Sequence, residues 1–76
     1  MLKFLRSRSS FETIRAEDLQ VGDRFVYDLS PVVVLAVAKY DHDASVVFDR
    51  TANGVRCNVV SQKLIPRDLL MTIVKR

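Results

Sequence analysis

The 76 residues predict a single, mostly β domain of five to six short antiparallel strands. Three observations carry that expectation. Short runs rich in Val, Ile, Phe and Tyr recur roughly every ten residues between turn-forming residues, the spacing of a small barrel or sandwich. Asn53-Gly54 is a strong hairpin signal, because both residues tolerate positive φ. No segment carries a clean helical stripe. The best helical candidate, Ser10 to Leu19, has a capping-box spacing at Ser9 and Glu12 but is interrupted by Asp18.

Taken in order, residues 1–12 read as a flexible basic arm and residues 13–76 as the domain. In the arm Lys3, Arg6 and Arg8 are interleaved with serines, with Phe4 and Leu5 as apolar anchors between the bases. Thr13-Ile14-Arg15 predicts a short strand, Ala16 to Leu19 a single turn, and Val21-Gly22-Asp23 a further turn. Arg24 to Tyr27 is a strand and Asp28-Leu29-Ser30-Pro31 a turn in which Pro pre-sets φ. Val32 to Tyr40 is apolar almost throughout, which predicts a central strand covered on both faces. Asp41-His42-Asp43 makes a tight polar connection to a strand at Ala44 to Asp49, followed by a turn at Arg50 to Gly54. Val55 to Val59 alternates, with one wet and one dry face. Ser61 to Asp68 reads as a connection, and Leu69 to Val74 as the closing strand. The expected core is Ile14, Leu19, Val21, Phe25, Val33, Leu35, Val37, Val46, Phe48, Val55, Cys57, Val59, Leu64, Met71 and Ile73.

A chain this short buries only about 60–65% of the surface its unfolded form exposes, so it needs a dense core or a helper. Cys57 is the one cysteine and His42 the one histidine, which excludes an intrachain disulfide and a Cys-rich zinc site. Cys57, at an inward position of its strand, reads as a small hydrophobe. The longest apolar run, Val32 to Ala38, is far short of a bilayer span, and the first residues lack the apolar segment of a signal peptide. A cytoplasmic protein with no membrane contact is therefore expected. Adjacent residues in an extended turn point to different sides, so Asp41-His42-Asp43 reads as a solvated turn rather than a metal or acid–base cluster. Gly22 and Gly54 belong to no phosphate-binding pattern. No catalytic residue, metal or cofactor is expected.

The segment Ile14-Arg15-Ala16-Glu17-Asp18-Leu19-Gln20-Val21-Gly22-Asp23-Arg24-Phe25 resembles the opening of SH3-like barrels of the translation-factor kind, such as the first domain of elongation factor P. The likeness continues through Tyr27-Asp28 and Pro31-Val32-Val33-Val34-Leu35 and covers roughly residues 13–60. Small barrels of bacteria and their phages are similar. The resemblance implies a half-open SH3-like barrel of five to six strands. Where the elongation factor presents a modified lysine on a Gly- and Lys-rich loop, this chain has the acidic Lys39-Tyr40-Asp41-His42-Asp43. The factor's activity is therefore not implied, and only the barrel is.

Charge supplies the functional readings. The formal net charge is +3, with four bases and one acid in residues 1–15, the same in residues 63–76, and four bases and seven acids between. The leading expectation is a non-enzymatic module that contacts nucleic acid or a nucleoprotein complex through Lys3, Arg6, Arg8, Lys63, Arg67, Lys75 and Arg76. Its rival is a small, phage-encoded regulatory protein that docks on a host enzyme through Asp23, Asp28, Asp41, Asp43 and Asp49. A homodimer with a purely structural barrel is the third reading.

Overall fold

The computed structural model describes residues 10–76. Six strands form: β1 (Phe11–Arg15), β2 (Arg24–Tyr27), β3 (Ser30–Lys39), β4 (Asp43–Ala52), β5 (Val55–Pro66) and β6 (Leu70–Val74). A single 3-10 turn, Ala16–Asp18, joins β1 to the Val21-Gly22 turn. All pairings are antiparallel. β2-β3-β4-β5 is a four-stranded meander, and β1 pairs with β6 in a two-stranded sheet that packs beside β2. Among the described residues the two ladders do not close into a barrel: β2 and β5 are the edges of the larger sheet, and β1 and β6 have only each other as strand neighbours.

Local chemistry accounts for most of these boundaries. Asn53 and Gly54 take φ of 53° and 79°, the pair of left-handed residues a two-residue hairpin needs. The β2–β3 hairpin uses the same turn with less suitable residues, Asp28 at φ 52° and Leu29 at 65°. This turn is two residues long rather than four, because Ser30 and Pro31 already pair with Tyr27 and Val26. Pro31 is tolerated there because the β3–β4 ladder begins only at Val32.

The core consists of Leu19, Phe25, Val32, Val34, Val46, Phe48 and Ile73, with Ile14, Val37, Ile65 and Met71 packed partly against it. Phe48 sits edge-on to both Phe25 (5.8 Å) and Tyr27 (5.0 Å). Complete burial of each such side chain stabilises by about 1.5–3 kcal/mol.

Two irregularities correct the expected core. In β3, Leu35 is an extra residue between Val34, which pairs with Phe48, and Ala36, which pairs with Val47. Such a bulge inverts the alternation. Before it Val32 and Val34 face inward, and Val33 and Leu35 do not take the buried places the sequence suggests; after it Val37 faces the core as expected. The second irregularity is larger. Residues 57–59 bulge from β5, between Arg56, which pairs with Thr51, and Val60, which pairs with Asp49. Asn58 takes φ 60° there. β5 then runs on to Pro66, where a connection was expected from Ser61. Val55, Cys57, Val59 and Leu64 are all exposed, because β5 is the outermost strand of its sheet. Val21, also expected inside, is exposed at its turn.

Candidate functional site

Lys3, Arg6 and Arg8 lie outside the described residues. Of the other expected basic contacts, Arg67 and Arg76 are engaged within the chain. Arg67 donates from Nη2 to Glu17 Oε1 at 2.8 Å, from Nε to the same atom at 3.3 Å, and from Nη1 to the Tyr40 carbonyl at 3.1 Å. Arg76 grips Asp23 with two bonds, Nε to Oδ1 at 2.9 Å and Nη2 to Oδ2 at 2.8 Å, and also donates to the Asp18 carbonyl. The hydrogen bond from Arg67 holds the Glu17 carboxyl below its ordinary value, and the bond from Arg76 does the same for Asp23. The two arginines therefore converge on the acidic 16–23 turn and fasten the C-terminal segment to it. Lys75 is exposed, and Lys63 Nζ lies 6.0 Å above the ring of Tyr27.

The expected acidic surface is divided. Asp23 is buried under Arg76 and also accepts the Gln20 N–H. Asp49 is fully buried and accepts from Arg56 Nε, from the Val59 N–H at 2.8 Å and from the Asn58 N–H at 3.3 Å. Arg56 chiefly, with both amides assisting, holds the Asp49 carboxyl below its ordinary value, while burial pushes the other way. Asp49 is thus the anchor of the β5 bulge. Asp28 stands before β3 and Asp41 after it, so a ten-residue strand of about 33 Å separates them. Asp43 belongs to the same tip as Asp41, where its carbonyl accepts the Tyr40 N–H at 2.8 Å. His42 is exposed, and its carbonyl accepts the Arg67 N–H. Among the described residues no group of three His, Cys, Asp or Glu is placed to hold a metal ion, and no helix is long and apolar enough to cross a membrane.

A concavity lies on the face turned away from the core. Phe25 points inward from β2, so its neighbours Arg24 and Val26 point outward, and Val33, opposite Arg24, joins them. Phe11 from β1, Val74 from β6, Val21 and the Asn53-Gly54 hairpin tip complete a groove of about 770 Å³. Phe11, Val21 and Val26 are each more than half exposed. The charged residues in its lining are Arg24 and Arg56; no acid is among the lining residues, and Arg56 is paired with the buried Asp49. Among the described residues, none of those expected to form a site lines it. The sequence held a partial signal: in Val32 to Val37 both parities are apolar, so one set had to face away from the core. No protein-family model, no curated protein and no solved structure matches this chain.

Proposed function

We propose that this chain is a non-enzymatic binding module, a small half-open barrel of the SH3-like kind, whose partner is a protein. The partner is received in the outward groove as an extended apolar segment carrying an acidic side chain. One observation carries the reading: an open apolar groove whose charged lining residues are both arginine. A groove of this volume falls within the range of ligand-binding pockets, which are lined mostly by apolar side chains with a few polar groups. Arg24, which forms no ion pair among the described residues, is available for a carboxylate, whereas Arg56 already serves Asp49. The nucleic-acid reading retains Lys63, Lys75 and the basic residues of the arm. It is weakened by the commitment of Arg67 and Arg76 to Glu17 and Asp23.

The test is an NMR titration of the isotope-labelled chain with two capped hexapeptides, one alternating Val with Asp and one Val with Lys, and with a single-stranded oligonucleotide. The Asp peptide is expected to move the amides of Val21, Arg24, Val26, Val33 and Val74. Arg24→Glu should weaken that binding roughly tenfold or more, the loss of one charge-assisted contact. An oligonucleotide that binds with a steep salt dependence, while neither peptide moves the groove, would overturn the proposal in favour of nucleic acid.

A further inference from the structure

β5 has one strand neighbour, β4, and its outer edge is unpaired among the described residues. Natural sheets protect such edges with charges, prolines, bulges or cover. Here those devices stand at the two ends of a window. The bulge at residues 57–59, fixed by Asp49, closes one end, and Pro66 the other. From Val59, the last residue of the bulge, to Ile65, the residue before Pro66, Val59-Val60-Ser61-Gln62-Lys63-Leu64-Ile65 contains one charge, no Pro and no Gly. That charge, Lys63, is drawn over the Tyr27 ring.

The backbone shows which groups the window offers. The Val59 N–H is directed at Asp49 of β4 and the Arg67 N–H at the His42 carbonyl, so odd-numbered residues of this stretch turn their amides inward. By alternation Val60, Gln62 and Leu64 present their N–H and C=O groups at the free edge. We infer that β5 pairs antiparallel with β5 of a second copy of this chain, about a two-fold axis at Gln62, giving a homodimer with one continuous eight-stranded sheet.

The register follows from the sequence of the window. Full overlap of a window bounded at Val59 and Ile65 places its centre at Gln62. Gln62 then faces Gln62 of the partner subunit. Val60 faces the partner's Leu64, and Leu64 the partner's Val60, on one side of the sheet. Val59 faces the partner's Ile65 and Ser61 the partner's Lys63 on the other. No like charges stand directly opposite, and the exposed apolar residues Val60 (54% exposed) and Leu64 (62%) meet each other. The three outward residues of each copy form about six backbone hydrogen bonds. Gln62 is held in place by its bond to Ser45 Oγ. A ladder of this length is smaller than a standard interface, so the dimer forms in the micromolar range.

Sedimentation of the full chain at high micromolar concentration should give twice the 8.7 kDa chain mass and fall toward the monomer on dilution. Val60→Lys and Leu64→Glu should each raise the dimer dissociation constant at least tenfold. Val60→Lys/Leu64→Glu together should recover it, because each new Lys then faces a new Glu. With Cys57→Ser as background, Gln62→Cys should oxidise to a cross-linked dimer at least ten times faster than Leu29→Cys, which lies on an exposed turn. Ser61→Cys and Lys63→Cys should cross-link with each other when mixed. Circular dichroism identifies any variant that fails to fold, and the cross-linking arm does not depend on the charge variants. A chain that is monomeric at all concentrations, with Gln62→Cys no faster than Leu29→Cys, overturns the inference, whether the chain's own first nine residues or another protein covers the edge. A dimer that survives both single charge substitutions overturns the register.

Discussion

β4 and β5 are paired along most of their length and are both rich in Val, yet one is mostly buried and the other almost wholly exposed. Val46 and Phe48 of β4 lie in the core with Phe25, Val34 and Ile73, and Ala44, Ser45 and Asp49 of the same strand are buried as well. Along β5 only Ile65 is half-covered. The two strands differ in place rather than in composition. β4 has a strand on each side and the core packed on one face; β5 has a strand on one side only. Apolar content and β-branching admit a segment to a sheet, and its position in the sheet decides what it buries.

The sharpest way to break this comparison is to truncate one side chain from each strand. Phe48→Ala removes the ring that touches both Phe25 and Tyr27 and should cost about 3–5 kcal/mol, a large share of a small domain's stability. Leu64→Ala should change stability by less than about 0.5 kcal/mol in dilute solution. Urea unfolding of both variants gives the contrast directly. A loss from Leu64→Ala comparable to that from Phe48→Ala would mean that the domain itself covers β5.

A smaller effect concerns the side chain that links the two strands. Asp49, on β4, holds the β5 bulge, and its carboxyl titrates below its ordinary value in the folded protein, as do those of Asp23 and Glu17. The unfolded chain therefore takes up protons first as the pH falls. The stabilisation is complete above the ordinary carboxylate range, at about pH 4, and is lost as the pH drops through the lower folded values. Thermal unfolding followed from pH 6 downward should show stability declining below about pH 4. Asp49→Asn should lower stability at neutral pH and flatten that decline. An unchanged slope would remove Asp49 as the anchor.

The smallest expected effect compares the two tight hairpins. Asn53-Gly54 suits its left-handed backbone, whereas Leu29 occupies φ 65° with its side chain 96% exposed, so nothing packs there to offset the strain. Leu29→Gly should raise stability by about 0.5–1 kcal/mol, the relief of a left-handed Leu less the added freedom of Gly in the unfolded chain. Asn53→Ala, at the better-suited turn, should lower it. A destabilising Leu29→Gly would show that the exposed Leu has a packing role.

Much of the fold was legible in the residues and rather less of the site. β2 begins at Arg24 and ends at Tyr27 as its composition suggests, the Ala16–Asp18 turn falls in place, and the chain turns at Gly22 and at Asn53-Gly54. Leu19, Phe25, Val46, Phe48 and Ile73 lie in the core as expected. The groove escaped notice because Val21 and Val33, which help line it, read as core residues, and Phe11 and Val26 carried no distinguishing mark. The basic and acidic segments were visible as charge, but their pairing with each other was not.

What the sequence by itself determined was local: that the chain is β, roughly where each strand starts, and where the backbone must take positive φ. Those properties reside in a few neighbouring residues, in β-branching, period-two alternation and the tolerance of Gly and Asn for left-handed conformations. What only the tertiary structure decided depends on partners distant in the chain. The Leu35 bulge, visible only against β4, inverts which valines of β3 are buried. The buried Asp49 carboxylate accepts the Asn58 and Val59 amides of the 57–59 bulge, and Cys57 lies exposed within it. Arg67 reaches Glu17 across 50 positions and Arg76 reaches Asp23 across 53, turning two expected contact residues into fasteners of the fold. Register and ion pairing arise between elements that meet only after folding, and spacing along one strand holds no record of the residues that will stand opposite it.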